Sequence, residues 1–261
     1  VVATQIPNNA GSLGPLTVSA PEGTILNAPK PSAVASRHVI GQMLPDVAFG
    51  CLRQVVPDRV PAEGTSCLWN INVRGRVKGG EGGNYGFGMA ITSNGGTGAR
   101  PDKDGLSATA YPSGVRGTPV EIAETQTPLI FWRKEFRPDS GGAGRTRGGL
   151  GQIMEIESGI DEPFDLLAAF DRIDHPARGR DGGGDGEAGV VAFKSGQTLK
   201  GKGFQLIPPG ERLMILTPGG AGIGAPRDRD RTQVANDLAD GLISAETAEK
   251  VYEFKPPQAA E

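Results

Sequence analysis

The chain has 261 residues and a formal net charge of -3 at pH 7, so it can bury a core as one large domain or two smaller ones. The slightly acidic balance argues against nucleic acid, because a surface that follows a phosphate backbone carries excess lysine and arginine. No apolar run approaches the ~20 residues of a membrane-spanning helix. Two cysteines, Cys51 and Cys67, are too few for a disulfide framework. We therefore expect a cytoplasmic protein that binds neither membrane nor nucleic acid.

Glycine is the unusual feature of the composition. The 41 glycines and 21 prolines together make up just under a quarter of the chain. That share approaches the level found in disordered chains. The glycines cluster between segments with regular apolar patterns, however, so we interpret the clusters as loops on a folded scaffold.

The first part of the chain predicts one strand and one long helix. The segment GPLTVSAPEG (14–23) has a strand-like composition and ends in turn residues. Between 30 and 57, apolar residues recur at intervals of three and four, which predicts a helix with Ser32 as its cap and Pro57 at its end. Pro45 lies inside this pattern and predicts a kink, or two helices that meet there.

Most of the remaining chain predicts strands, because short apolar or alternating segments are separated by turn residues. In the first of them Cys67, Trp69, Ile71 and Val73 alternate with polar residues, which marks the buried face. The segment GGEGG between the first two predicts a hairpin loop. The predicted strands lie in TSCLWNINVRGRVKG (65–79), NYGFGMAIT (84–92), TPVEIAE (118–124), TPLIFWRKEFRP (127–138), GQIMEIES (151–158), FDLLAAFDRID (164–174), EAGVVAFKSG (187–196), QTLKGKGFQLIPPG (197–210) and ERLMILTPGG (211–220). The segment 164–174 is also compatible with a helix, and we favour a strand.

The C-terminal segment predicts two short helices. DRDRTQVANDLADG (228–241) has an acidic start and ends at Gly241, and SAETAEKVYEF (244–254) begins at the cap residue Ser244. In the second helix Val251 and Phe254 are placed for packing, and the final KPPQAAE is expected to fray.

These elements predict an α+β fold. Helices and strands do not alternate along the chain as a doubly wound fold requires. We expect β-rich antiparallel sheets with one long buried, kinked helix and a C-terminal helical hairpin. The predicted division is a β-rich domain of residues 1–226 followed by the hairpin and tail at 227–261.

The sequence lacks the common signatures of nucleotide and metal enzymes. There is no P-loop, and GGAGIGAP and GGAGRTRGG lack the G-x-G-x-x-G spacing between a strand and a helix. The two histidines, His38 and His175, lie far apart in the sequence. We therefore predict no metal site within this chain.

One glycine-rich segment, NGGTGARPDKDG (94–105), concentrates groups suited to catalysis. Gly96 and Gly98 would let a ligand approach the backbone closely. Carboxylates beside cations can orient a water or hold a charged intermediate. The alternative is a solvated turn, which is the commoner role of such a loop. The charged residues of this segment are Arg100, Asp102, Lys103 and Asp104.

Other polar residues are weaker candidates. In RPDSGGAGRTRGG (137–149), Arg145 and Arg147 could bind an anion, but we favour a structural or subunit-contact role in which these arginines pair with neighbours. His38 lies on the apolar face of the predicted helix, which is typical of a hydrogen-bonded core histidine. Asn9 in IPNNAG is both a turn former and an amide-binding group. His175 lies in a predicted loop.

The order of these segments resembles the hydantoinase B/oxoprolinase family. The resemblance rests on IPNNAGSLGPLTVSAPEGTILNAPKPSAVASRHVIGQMLPDVAFG, NGGTGARPDKDG, TPVEIAETQTPLIFWRKEFRPDSGGAGRTRGGLG, TPGGAGIGAPRDRD and DLADGLISAETA, and it extends over essentially the whole chain. The family includes the B subunit of N-methylhydantoinase, the corresponding part of 5-oxoprolinase and the large subunit of ketone carboxylases.

The resemblance implies partners. Family members carry a region of roughly equal size before the IPNNAG segment, and their metal ligands are thought to lie there. The chain thus resembles the C-terminal part of a subunit, which would contact an N-terminal half holding a divalent metal and an A-type subunit that binds ATP and Mg²⁺.

The resemblance also implies a mechanism. The A subunit would phosphorylate the amide or enol oxygen of a small-molecule substrate, and the B subunit would direct water, or CO₂ in the carboxylases, onto the activated species. On this view Arg100 contacts an anionic oxygen, while Asp102 or Asp104 orients water or Lys103. Gly96, Gly98, Asn9 and His38 would bind substrate.

Three functions remain open from the sequence. The first is a part of an ATP-dependent hydrolase of hydantoins, oxoproline or lactams, which the C-terminal segment favours. The second is a part of a ketone carboxylase. The third is a non-catalytic scaffold whose ligand contacts all come from partner chains.

Overall fold

The computed structural model describes residues 6–7, 9–34, 37–80 and 83–255, which contain five α-helices and eight strands. Asn8, the centre of the GGEGG loop and the tail beyond Lys255 lie outside the described residues. In chain order the elements are α1 (Ala10–Leu13), α2 (Arg37–Leu52), β1 (Leu68–Gly80), β2 (Gly83–Asn94), α3 (Val120–Gln126), β3 (Leu129–Phe136), β4 (Gln152–Ser158), β5 (Phe164–Ala169), β6 (Val190–Phe193), β7 (Lys202–Ile207), β8 (Arg212–Leu216), α4 (Arg231–Ala239) and α5 (Ala245–Lys250).

The strands form two antiparallel sheets of four strands each. The order is β2-β1-β5-β7 in the first sheet and β3-β4-β8-β6 in the second. Every neighbouring pair is antiparallel, and the longest is the β1–β2 hairpin, in which Leu68 lies opposite Asn94. The predicted α+β fold with β-rich antiparallel sheets is confirmed.

The main hydrophobic core contains residues from both sheets. Cys67, Trp69, Ile71 and Val73 are buried, as their alternation with polar residues predicts. The ring of Trp69 stacks on Phe170 with centroids 4.3 Å apart. Further apolar side chains of this core come from other strands, including β4, β5 and β8. Their close packing makes the sheets a rigid support for the neighbouring segments.

A second core is made of glycine-rich backbone rather than large side chains. Segments from 95–99, 137–151, 177–189 and 217–226 are joined by backbone hydrogen bonds, such as Gly142 N to Gly220 O at 2.8 Å. A Cβ at position 220 would lie 1.9 Å from a backbone oxygen, so no larger residue fits. These glycine clusters lie outside helices and strands, as their interpretation as loops predicts, but most of their residues are buried rather than solvated.

Three predicted elements differ from the structure. Residues 14–23 form no strand, and TPVEIAE lies mainly in helix α3 rather than in a strand. Helix α2 begins at Arg37 and continues past Pro45 as one helix. Only Gln42 and Phe49 of α2 are buried, so the expectation of a buried helix is wrong for most of its length.

The C-terminal helices pack as a pair. Ser244 caps α5 by accepting a hydrogen bond from Thr247 N, and Gly241 has φ +69, which confirms both predicted signals. Phe254 packs against the pair, whereas Val251, which was expected to pack, is 42% exposed. The domain boundary at residue 226 stays a prediction. The buried cluster of the pair consists of Val234, Ile243, Ala248 and Tyr252.

Candidate active site

A cavity of about 410 Å³ lies between helix α2 and the glycine-rich core. The rings of Phe49 and Tyr111 stack at its apolar end, with centroids 6.2 Å apart. A concave, mostly apolar space with a few polar groups is typical of a small-molecule site. The residues that line it are Asp46, Phe49, Arg59, Pro61, Ala62, Gly64, Ser66, Gly96, Thr97, Gly98, Arg100, Pro101, Asp102, Leu106, Thr109 and Tyr111.

The segment 94–105 forms one wall of this cavity, because its glycines fit against neighbouring backbone. A Cβ at Gly96 would lie 1.8 Å from Gly149 O, and one at Gly98 would lie 2.0 Å from Ala62 O. These two glycines line the cavity, but close packing of the backbone already requires glycine at both positions. The solvated-turn interpretation does not describe this buried part of the segment.

Arg100 and Asp102 are the two charged residues of this segment that line the cavity. The guanidinium of Arg100 donates from Nε and Nη2 to the backbone oxygen of Asp104, at 3.1 and 2.7 Å, which fixes its position. Asp102 is exposed and lies at the same wall. The pair therefore presents one fixed cation and one carboxylate to anything bound there.

Asp104 points away from this role, into an ion-pair network with the C-terminal helices. Its carboxylate accepts hydrogen bonds from both Nη atoms of Arg229, at 2.8 and 2.7 Å, and from Arg147 N at 2.7 Å. Burial opposes ionisation, but the hydrogen bonds and charge of Arg229 hold the pKa of Asp104 below its ordinary value. Asp104 thus remains an anion that fastens the segment 94–105 to α4.

The other predicted site residues lie elsewhere. Lys103 is exposed and does not line the cavity. Asn9 caps α1, where its Oδ1 accepts a hydrogen bond from Ser12 N at 3.1 Å. His38 is exposed on α2, with Nε2 3.0 Å from Asn70 Nδ2. The structure therefore brings four of the eight predicted residues together at the cavity, namely Gly96, Gly98, Arg100 and Asp102.

The sequence analysis missed a pair of polar cavity residues that contact each other. Asp46 comes from α2 and Ser66 from the segment before β1, and Ser66 Oγ donates a hydrogen bond of 2.6 Å to Asp46 Oδ2. Asp46 also accepts from Arg172 Nη2 at 3.3 Å. The only signal in the sequence was a carboxylate within the predicted helix. The contact between Asp46 and Ser66 joins residues 20 positions apart, which no local pattern indicates.

Cys67, which immediately follows Ser66, is unsuited to nucleophilic attack. Burial raises the pKa of its thiol to about 11, so it stays protonated at neutral pH. Its Sγ accepts a hydrogen bond from Gly95 N at 3.2 Å, which makes it a structural contact between β1 and the cavity wall.

Within the described ranges, no three His, Cys, Asp or Glu side chains are grouped as a metal ion requires. Nor does any described helix combine the length and apolar character needed to cross a bilayer.

Comparison with known proteins assigns the chain to a family. The family model described as Hydantoinase B/oxoprolinase matches residues 1–226. The chain belongs to this family. The resemblance of its ordered sequence segments to the hydantoinase B/oxoprolinase family is thereby confirmed.

A curated relative supports this assignment, and two solved structures share the fold. The B subunit of a putative D-/L-hydantoinase from Pseudomonas sp. is 31% identical over 93% of this chain and 41% of its own length. The crystal structure of an ATP-dependent caprolactamase from Pseudomonas jessenii matches with a TM-score of 0.74 and 23% identity, over 94% of this chain and 44% of that one. A nucleotide-free acetone carboxylase structure matches with a TM-score of 0.61 and 19% identity, over 77% and 31%.

The two structural matches show a common fold. In length, the chain spans less than half of the first curated hydantoinase B/oxoprolinase relatives that it matches.

In this hydantoinase B/oxoprolinase chain the second glycine-rich segment, 137–149, has structural contacts. Arg147 is buried and its Nε lies 3.3 Å from Asp237 Oδ2. Arg137 donates to Ala188 O at 2.7 Å, and the exposed Arg145 donates to Pro101 O at 3.1 Å. The contacts of all three arginines agree with the structural role favoured by the sequence analysis, although these partners lie within the chain itself.

Proposed function

We propose that this chain forms one wall of the substrate site in an ATP-dependent enzyme that opens cyclic amides, such as hydantoins, 5-oxoproline or lactams. The cavity between α2 and the segment 94–105 is the observation that carries this proposal. Its apolar end suits the hydrocarbon part of a small ring, and its polar groups suit an amide that becomes charged during reaction. Family membership supports the reaction class.

The proposed role of Arg100 follows from its fixed position. An amide is a poor electrophile, and phosphorylation of its oxygen by an ATP-binding partner would supply a better leaving group and additional negative charge. Arg100 would hold that charge, while Asp102 would orient the attacking water. ATP and Mg²⁺ would be bound by the partner and not by this chain.

An exposed apolar surface supports the proposal of partner chains. We call it the apolar N-terminal surface; each of its side chains is at least 43% exposed. Apolar side chains left exposed in such number within one part of the chain favour contact with another protein. We propose that it contacts an N-terminal half of the same subunit type or an ATP-binding A-type subunit. Its members are Leu13, Leu16, Val18, Ile25, Leu26, Val34, Leu44, Val47 and Val55.

The test is a substrate panel with the complex that co-purifies with this chain. ADP formation and product release would be measured with hydantoins, 5-oxoproline, lactams, and ketones with bicarbonate. Nucleotide-dependent opening of a cyclic amide is the expected result. Turnover only with a ketone and bicarbonate would replace the proposal with a carboxylase. Absence of both activities would leave the cyclic-amide proposal contradicted.

The wall residues provide a second test. Arg100→Ala should lower turnover by about 10²-fold or more, because a fixed cation that stabilises developing charge contributes that much. Asp102→Asn should lower turnover in the same assay. Lys103→Ala, in the same segment but outside the cavity, is the matched control and should retain wild-type turnover. Unchanged turnover in Arg100→Ala and Asp102→Asn would remove this wall from the reaction and favour a scaffold role for the chain.

A further inference from the structure

The polar side of the cavity contains a carboxylate that is held unusually tightly. Asp46 has an 11% exposed side chain and borders both the 410 Å³ cavity and a second cavity of about 490 Å³ on the other side of it. Ser66 Oγ lies 2.6 Å from Oδ2, and Gly64 N lies 3.4 Å from Oδ1. Its carboxylate therefore has a fixed orientation at the cavity surface.

The backbone around this carboxylate is strained. Ser66 has φ +46 and Arg172 has φ +60, which is the left-handed region that non-glycine residues seldom adopt. A third such residue, Ala108 with φ +46, directly precedes the cavity residue Thr109. Strain of this kind concentrates at functional sites.

Arg172 shows how the strained segments are held together. Its Nε donates to Thr65 O at 3.1 Å, and its Nη2 lies 3.3 Å from Asp46 Oδ2. Its Nη1 lies 3.6 Å from Glu63 Oε2. One guanidinium thus fixes both the backbone beside Ser66 and the carboxylate that Ser66 contacts.

Burial keeps Asp46 basic for a carboxylate. Burial raises its pKa above the ordinary value, and the hydrogen bond from Ser66 and the charge of Arg172 offset that rise only in part. Glu63 raises the pKa slightly further. Arg180 and the phenol of Tyr111 are the other ionisable groups that interact electrostatically with Asp46.

Neighbouring carboxylates are less suited to accept a proton. Glu63 is bound by Arg178; burial opposes its ionisation, but those hydrogen bonds hold its pKa below the ordinary value. Asp104 is bound by Arg229 outside the cavity lining, and Asp102 is exposed. Among the described cavity-lining residues, Asp46 alone is a largely buried carboxylate.

We propose that Asp46 is the proton acceptor of the ring-opening step and that Ser66 is its positioning residue; this inference rests on the proposed function. A water molecule gives one proton to an Asp46 oxygen while its own oxygen bonds to the carbon of an O-phosphorylated cyclic amide. The π pair of the carbon–nitrogen double bond moves to nitrogen. Asp46 returns that proton to the nitrogen. When the remaining carbon–nitrogen bond breaks, its electron pair also goes to nitrogen, which takes the proton of the new hydroxyl group through Asp46 while the hydroxyl oxygen forms the carbonyl double bond. The products are the ring-opened amine and an acyl phosphate, and a second water then displaces the phosphate to leave the carboxylate and inorganic phosphate.

Asp46→Asn in the assembled complex tests the acceptor role. The amide has nearly the same shape but cannot accept the proton, so ring opening should fall by about 10²-fold or more. Asp58→Asn is the matched control, because Asp58 is an exposed carboxylate near the cavity residue Arg59. It should retain the wild-type rate.

Ser66→Gly tests the positioning role with little risk to folding, since glycine readily adopts φ +46. The wild-type kcat/KM should fall at low pH, as Asp46 becomes protonated. Loss of the Ser66 hydroxyl removes a hydrogen bond that lowers the pKa of Asp46, so this acid limb should move to higher pH. A residue with only a structural role would leave the limb in place.

The outcomes separate the two proposals. If the wild-type complex opens no cyclic amide, the proposed function is wrong. If it does, and Asp46→Asn keeps both rate and pH profile, only the inference about Asp46 is overturned. Should Asp46→Asn fail to fold, the Ser66→Gly pH profile decides, and an unmoved acid limb overturns the inference.

Discussion

Individual glycines set the geometry of the second core. At position 220 a Cβ would lie 1.9 Å from Thr97 O, and at position 148 it would lie 1.9 Å from Gly220 O. A backbone oxygen cannot rotate away as a side chain can, so the adjacent segment itself would have to move. The glycines in this core are therefore required by packing rather than by turn conformation.

Gly220→Ala should destabilise the chain by about 3 kcal/mol or more, because a methyl group placed against backbone exceeds ordinary overpacking. The urea midpoint of unfolding would measure the loss. Gly50→Ala is the matched control, since a Cβ added at Gly50 in α2 would meet no atom within 4 Å, and alanine favours a helix by roughly 0.5–1 kcal/mol. Equal midpoints for Gly220→Ala and wild type would contradict the packing argument.

At the scale of elements, alternating apolar residues predicted the strands and packing decided the exceptions. β1 to β8 overlap the segments that apolar content or alternation predicted as strands. TPVEIAE reads as a strand by alternation, yet Val120–Gln126 forms a helix between β2 and β3. Residues 14–23 have the composition of a strand but no strand partner in the described part of the chain.

The candidate site could be predicted only where it is local in sequence. Gly96, Gly98, Arg100 and Asp102 lie in one short segment, so glycine and charge content marked them together. The contact of Asp46 with Ser66 and Arg172 joins three segments up to 126 residues apart, and no local pattern reports such a contact. The sequence analysis grouped Asp104 with the other charged residues of its segment. Its ion-pair partner, Arg229, lies 125 residues away, so no local pattern indicated the pairing.

The attachment of the C-terminal helices depends on Arg229, which is 2% exposed. Its Nη2 lies 2.7 Å from both Asp104 Oδ2 and Asp237 Oδ2, so one cation joins the cavity wall to α4. Removing this cation would leave two carboxylates close together without their shared counter-charge. The helical pair should then separate from the glycine core.

Arg229→Met should therefore cost about 3–5 kcal/mol and should increase amide hydrogen exchange in α4 and α5 before the sheets are affected. Arg227→Met is the matched control. Arg227 is exposed in the same turn, and its Nε lies 4.0 Å from Asp228 Oδ1, so this ion pair is long and solvated. Unchanged exchange in α4 and α5 of Arg229→Met would show that apolar packing alone, through Tyr252 and its neighbours, holds the pair.

At the scale of the whole molecule, apolar exposure is uneven. The two sheets and the glycine core contain most of the buried apolar residues, whereas in residues 6–56 the buried side chains of the described part are confined to Gln42 and Phe49. Helix α2 nevertheless supplies Asp46 and Phe49 to the cavity. A partner that covers the outer side of α2 would therefore also fix one wall of the candidate site.

This arrangement predicts that assembly and activity are coupled through α2. Val47 and Val55 are 65% and 80% exposed, so Val47→Asp with Val55→Asp should leave the fold of the chain intact while placing two charges in the proposed interface. The mass of the co-purified complex, measured by light scattering, should fall to that of the separate chains. Leu206→Asp, at a 62% exposed position on β7, is the control and should assemble normally. Normal assembly of the double variant with loss of assembly in Leu206→Asp would instead place the partner on the outer face of the first sheet.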